Sequence, residues 1–241
     1  EILLNHEVNQ IIAEDTQINS IVFSNGRTEK IKKNDKIISS LPITLTSKLI
    51  GYKSNLTFRG IRSVYLAYNQ DYVLPEGIHW LYYGSNKIDF NRVTESKKLS
   101  PFVAPKDKTY LTAEITYNKG DEIDLMPSEI LIDRIAEQIE EVNLVKKNKL
   151  FAGSTNKEPF VYPLMYTGYQ EELAKTRSAI SSFQQLYSIG TGGDYNYADS
   201  QILFHKAFDT VSILCDKDST YLQTIRKVPV VKLNKKVSIK N

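Results

Sequence analysis

Two stretches most constrain what this chain can fold into: FRGIRSVYLAYN, starting at Phe58, and TYLTAEITYN, starting at Thr109. Both are rich in β-branched and aromatic residues, which suit a pleated, half-buried surface better than a helix. HWLYYG and KIDFNRV lie between them with similar composition, set apart by turn residues. The spacing predicts an antiparallel sheet of four or more strands within 58–117. PSEILIDRIAEQIEEV follows with Pro127 near its first turn and Ile132, Ile135, Ile139 and Val142 on one face, a helix by its period. A second helix is expected after Gly168, with Tyr169, Leu173, Thr176 and Ile180 at the same spacing.

The outer segments read differently. IVFSNGRTEKI places Asn25-Gly26 between apolar segments, the signal of a type I′ hairpin. DKIISSLP reads as a buried strand ending at Pro42, and Leu45 to Tyr52 as a short helix. Near the other end LYSIG reads as a strand, followed by Gly190, Gly192 and Gly193. A helix then runs from about Asp199 to Cys215, with Asp199 or Ser200 as N-cap. The chain is therefore α+β, with a sheet-rich middle between two pieces, 1–42 and 185–215, that look like parts of something else.

Charge and composition exclude several classes. The net charge is +3, but Arg226, Lys227, Lys232, Lys235, Lys236 and Lys240 alone exceed it, so the rest of the chain is net acidic. That tail reads as a solvated segment, and the body has no basic stripe or nucleic-acid motif, so no nucleic-acid partner is expected. No apolar run approaches the roughly 18 residues of a membrane span. A single cysteine, Cys215, excludes an intrachain disulfide and points to a reducing, cytoplasmic setting. On the apolar side of its helix it is expected to pack as a small hydrophobe.

Catalytic signatures are missing. There is no G-x-G-x-x-G, Walker-A loop, G-x-S-x-G or H-E-x-x-H. His6, His79 and His205 are scattered, so no metal site is expected, and His205 reads as a packing residue. What remains is the glycine turn between strand and helix. Such a turn lets backbone N–H groups approach an anion or a cofactor, or it is a plain tight turn needing positive φ.

Several segments, taken in order, carry a resemblance. The hairpin and DKIISSLP, FRGIRSVYLAYN, HWLYYGSNKIDFNRVTESKKLSP, TYLTAEITYN, FVYPLMYTGYQEEL and YSIGTGGDYNYADSQILFHKAF resemble one group of FAD-dependent flavoproteins. These are the protoporphyrinogen oxidase-like and UDP-galactopyranose mutase-like proteins of the amine-oxidase superfamily, common in pathways that build bacterial surface polysaccharides. The resemblance runs from residue 1 to about 215 and is most specific at FNRVTESKKLSP, YP-x-x-Y-x-G-Y and the terminal glycine turn.

It implies a division of labour. Residues 1–42 and 185–225 would be remnants of a Rossmann-like FAD domain, 43–184 a substrate domain, and 226–241 a basic tail. The chain would be the C-terminal portion of a longer flavoprotein, cut inside the FAD domain. Gly190, Gly192 and Gly193 would approach FAD backbone-first, and Asp199, Ser200 and Gln201 would open the helix facing the flavin. The group has Gly-Arg where this chain has Gly190-Thr191, so an arginine contact to FAD is not carried over. Without the nucleotide-binding unit, FAD binding by this chain alone is expected to be weak or absent.

The substrate would be a small polar molecule or a nucleotide sugar. Arg92 either meets its carboxylate or diphosphate, or is a surface strand residue paired with Glu95. Tyr162 and Tyr166, flanking the YP turn, would stack on a sugar or uracil or bond a phosphate. His79, Trp80 and Tyr82 read first as packing residues. Flavin redox chemistry and flavin-dependent isomerisation of a nucleotide sugar, with the reduced flavin N5 as nucleophile, are both compatible with the resemblance; a non-catalytic binding domain is the third reading. Strand edges and apolar helix faces left by the cut offer a route to a homodimer. No catalytic acid or base stands out.

Overall fold

The computed structural model describes residues 1–215. It divides into two compact units, one formed by residues 1–51 with the chain from Ser178 onward, the other by 52–177.

The first unit opens with an antiparallel sheet of β1 (Val8–Glu14), β2 (Gln17–Phe23) and β3 (Thr28–Lys30). Its Asn25-Gly26 turn is not type I′, because only Gly26 has positive φ, +84°. The Gly26 amide donates to the Phe23 carbonyl and the Phe23 amide to the Arg27 carbonyl. This is a three-residue loop with glycine in the left-handed position. β4 (Ile37–Ser39) leads into α1 (Ile43–Leu49). β4 is not the buried strand expected, since Ile38 is exposed.

The second unit contains β5 (Phe58–Tyr68), β6 (Trp80–Tyr82), β7 (Arg92–Glu95), α2 (Ser96–Leu99), a 3-10 turn at Pro101–Val103, and β8 (Thr109–Tyr117). Short α3 (Glu122–Leu125), α4 (Ser128–Glu141) and β9 (Leu150–Pro163) follow. α5 (Tyr169–Ser181) carries the chain back into the first unit, which continues with β10 (Leu186–Ser188), the single turn α6 (Gly190–Gly193) and α7 (Ser200–Cys215). β10 pairs in parallel with β4. The buried Gln185 side chain accepts from the Ile18 amide at 2.9 Å and donates to the Lys32 carbonyl at 2.9 Å, tying three segments of that unit together.

The second unit's sheet runs β6-β7-β8-β5-β9, antiparallel throughout. On β5, Val64, Leu66 and Tyr68 are buried, while Ser63, Tyr65 and Ala67 are not. The same alternation on β8 buries Leu111, Ala113 and Ile115. α4 closes this face with Leu131, Ile135, Ala136 and Ile139. It comes close over β9 because Gly153 has no side chain; a Cβ there would lie 2.6 Å from Ile132 Cγ2. β9 is an edge strand, which accommodates Pro159 at its register shift. α5 buries Leu173, Thr176 and Ile180, and the Thr176 hydroxyl is satisfied by Ser54 at 2.8 Å.

One buried group in this core has no partner. Tyr68 is fully buried, and its hydroxyl makes no hydrogen bond among the described residues. Burial, with the nearby Glu140 charge, pushes its pKa up. An unsatisfied hydroxyl costs more than a hydrogen bond contributes. Tyr68→Phe is therefore expected to leave stability unchanged or raise it by about 1 kcal/mol. A urea titration of both proteins checks this, and a clear loss on substitution would reveal a partner for the hydroxyl.

Candidate functional site

The face of the sheet opposite α4 carries a concavity. It is an open trough of about 480 Å³, lined by side chains of β5, β6, β7, β8 and α2. Strand register explains why these residues meet. Tyr82 lies opposite Arg92, Arg92 opposite Glu114, and Glu114 opposite Ser63. The neighbouring row is Trp80, Thr94, Thr112 and Tyr65. Residues directly opposite on one face have Cβ atoms about 5 Å apart, so each row is a ladder of touching side chains. Tyr110, Ser96 and Leu99 complete the lining.

The trough's charges are one cation and one anion. Arg92 Nη2 donates to Glu114 Oε1 at 2.6 Å, and Nη1 reaches the Tyr82 hydroxyl at 3.3 Å. The bond to Glu114 is the main cause of a raised Arg92 pKa, so the guanidinium stays charged. Its Nε is buried without a hydrogen-bond partner among the described residues. The Arg92–Glu95 pairing open in the sequence does not form. Strand alternation turns Glu95 to the other face, where it is fully buried.

Tyr162 and Tyr166 fall elsewhere. Tyr162 lies near the end of β9 opposite Arg59, within a strand and not at a turn. Three strand spacings and several residues separate it from Arg92, on the order of 20 Å. Tyr166 is half-exposed beyond the strand and packs edge-on to Tyr169, with ring centroids 6.4 Å apart. Neither lines the trough. Trp80 and Tyr82, expected as packing residues, are 48% and 70% exposed on its rim. Glu114, Tyr65, Tyr110, Ser63 and Thr112 were not legible as site residues, because only the β7–β8 and β5–β8 registers bring them to the face of Arg92.

In the first unit the three glycines serve different needs. Gly190 has φ +89°, and nothing lies within 4 Å of a Cβ built there. A Cβ on Gly192 would come 3.1 Å from Pro42 Cα, and one on Gly193 would come 2.9 Å from Ser188 Oγ. Packing inside the unit thus accounts for Gly192 and Gly193. Of the three, Gly190 is the one open on its Cβ side. Asp199, Ser200 and Gln201 are exposed, with Asp199 at the N-cap position, its carbonyl accepting from the Leu203 amide at 3.2 Å. Gln201 Nε2 donates to Asp199 Oδ2 at 3.5 Å.

α7 buries none of its side chains, so Cys215 and His205 are exposed, contrary to the packing roles expected of them. No group of three or more histidine, cysteine, aspartate or glutamate side chains able to hold a metal occurs among the described residues. No helix among them is long and apolar enough to cross a membrane. The basic tail, 226–241, lies outside the described residues.

No protein-family model matches the chain, and no curated protein matches it. Solved structures do. Reduced UDP-galactopyranose mutase superposes with a TM-score of 0.67 at 19% identity, over 80% of this chain and 42% of that one. A protein named as a protoporphyrinogen oxidase from Exiguobacterium sp. 255-15 gives 0.61 at 15% identity, over 87% and 46%. An oxidoreductase from Methanosarcina mazei gives 0.51 at 17% identity, over 78% and 44%. At these identities the likeness is one of fold. The chain spans less than half the length of each of these proteins.

Proposed function

We propose that this chain is the substrate-side portion of an FAD-dependent enzyme acting on a small polar or nucleotide-sugar substrate, with the trough around Arg92 as its substrate face. The observation that supports this best is the cross-strand ladder of aromatic, hydroxyl and paired charged side chains. It lies on the uncovered face of a sheet whose other face is an ordinary apolar core. The fold likeness to UDP-galactopyranose mutase supports the choice of chemistry.

In this reading Gly190, Gly192 and Gly193 approach FAD with their backbone, and Asp199, Ser200 and Gln201 lie at the start of the following helix. When bound, the flavin supplies electron transfer or, for sugar isomerisation, a nucleophilic ring nitrogen. The residues of this chain orient the substrate. Arg92 is held in place by Glu114 and Tyr82, so its fork is preorganised before substrate arrives. Redox turnover and isomerisation of a nucleotide sugar both fit this geometry, and a role in surface-polysaccharide synthesis suits either.

The parallel β4–β10 pair exposes Ile38, whereas parallel sheets are normally covered on both faces. This supports reading the first unit as part of a larger Rossmann-like FAD domain, and the uncovered faces leave a homodimer of this chain as a second way to cover them. The test is the absorbance of the purified proteins at about 450 nm, where oxidised flavin absorbs. The longer protein containing this sequence is expected to be yellow, and this chain alone colourless. Flavin in neither would overturn the flavoprotein reading and leave a binding domain.

A further inference from the structure

We infer that the loop between α2 and β8 docks the protein on an anionic lipid surface, its apolar tip entering the headgroup layer and a collar of lysines meeting the lipid phosphates. This goes beyond the flavoprotein reading and stands without it. Three observations carry it, all at one end of the second unit's sheet.

The first is the tip. From Leu99 to Pro105 the sequence LSPFVAP carries no charge. Phe102 is 95% exposed, and Leu99, which also borders the trough, and Val103 are exposed beside it. Large apolar side chains grouped in solvent mark a surface that something covers. A ring exposed to that degree stands out from the protein and lines no groove, so it suits a partner into which it can sink. The second is the base of the loop. The buried Lys97 Nζ donates to the carbonyls of Lys106 at 2.7 Å and Lys108 at 2.8 Å and to Asp71 Oδ1 at 2.7 Å. Both stems of the loop are thus fastened, and the tip is held outward from a fixed base.

The third is the collar. Tyr68 pairs with both Thr109 and Leu150, which brings the ends of β5, β8 and β9 together. Lys98, Lys106, Lys108 and Lys149 gather there with Lys97, against Asp71, Glu76 and Asp107, and Asp71 is already paired with Lys97. Lys98 Nζ stands 4.5 Å from the Tyr72 ring centroid and Lys108 Nζ 4.8 Å from that of Phe151, both rings partly exposed. Lysine stems laid along aromatic rings, with the ammonium heads outward, suit the layer between hydrocarbon and water. A second copy on the same face would bring two positive collars together, whereas an anionic bilayer supplies the opposite charge.

Sedimentation of the full chain with lipid vesicles tests this. Phosphatidylcholine vesicles with about a third phosphatidylglycerol are expected to carry the protein down at about 0.1 M salt, and phosphatidylcholine alone to leave it in solution. Raising the salt to about 0.5 M should release most of it. Phe102→Ser is expected to weaken binding roughly tenfold with an unchanged urea midpoint, since its ring is buried only on the membrane. Lys98→Gln and Lys106→Gln should each weaken it about fivefold. Equal binding by the unaltered chain and all three variants would move the lipid contact to the basic residues 226–241 and overturn the proposal. So would binding that needs the lysines but survives Phe102→Ser, because any polyanion would then serve. Absence of sedimentation with anionic vesicles would overturn it as well, and a dimer lost in Phe102→Ser would then assign the tip to a second copy.

Discussion

Replacing Glu95 with leucine is expected to destabilise the second unit by about 3–5 kcal/mol, lowering its melting temperature by roughly 10 °C or more. The side chain is fully buried and acts only as an acceptor. Its Oε1 takes the Val73 amide at 2.9 Å and the Thr109 hydroxyl at 2.6 Å, and its Oε2 takes the Leu74 amide at 2.8 Å. Leucine matches the volume but strands three donors away from water, at about 1–3 kcal/mol each. The loss is local before it is global. Those amides belong to the segment that carries Leu74 into the core and then delivers Trp80 to the sheet edge. Two residues further on, Lys97 of α2 is also buried and grips Asp71 of that segment, with Nζ 2.7 Å from Oδ1. A shift of Trp80 emission toward the solvent-exposed value should therefore precede the main unfolding transition in urea. Unchanged stability would mean that these donors find other partners.

Glu95 also shows where sequence reading reaches its limit. A glutamate three residues from Arg92 invites an ion pair, and only the strand's period of two argues against it. The two long alternating strands and the helix at Ser128–Glu141 were legible because one face of each is apolar at a fixed period. β9 was not: LFAGSTNKEPFVYP is polar, holds a glycine and two prolines, and is held at the edge by pairing with β5. The trough was hidden for a related reason. Arg92 was visible by its motif, but Glu114 lies 22 positions along the chain, and Ser63 and Tyr65 precede both. Pairing of distant strands is a tertiary choice that no local pattern states. The glycine turn was visible as a motif, yet the division between Gly190, open on its Cβ side, and Gly192 and Gly193, packed on Pro42 and Ser188, needed coordinates.

The second large effect sets two arginines of one sheet against each other. Arg62 lies on the α4 face of β5 and is 2% exposed. Its Nη1 donates to the carbonyls of Ile123 at 2.8 Å and Met126 at 2.5 Å, and its Nη2 to Ser128 Oγ at 3.2 Å. It thereby satisfies backbone acceptors at the end of α3 and the entry to α4, where no intrahelical donor reaches. Arg62→Leu is expected to cost about 3–5 kcal/mol, because buried carbonyls lose a charged donor and the helix layer loses its fastening to the sheet. Arg92 is partly exposed and its pair with Glu114 is open to solvent, so Arg92→Leu should change stability by about 1 kcal/mol or less. Its effect belongs to ligand recognition instead: the change in emission of Trp80, the chain's one tryptophan, on titration with UDP-galactose should need about tenfold more ligand in a protein that melts almost as before. Urea denaturation and the Trp80 titration, run on both variants, separate the roles. Equal destabilisation by the two substitutions would make the Arg92–Glu114 pair a structural brace and remove the main support for the trough as a substrate face. The expected split would tie it to ligand chemistry, since a side chain that contributes little to folding and much to binding is what a preorganised site requires.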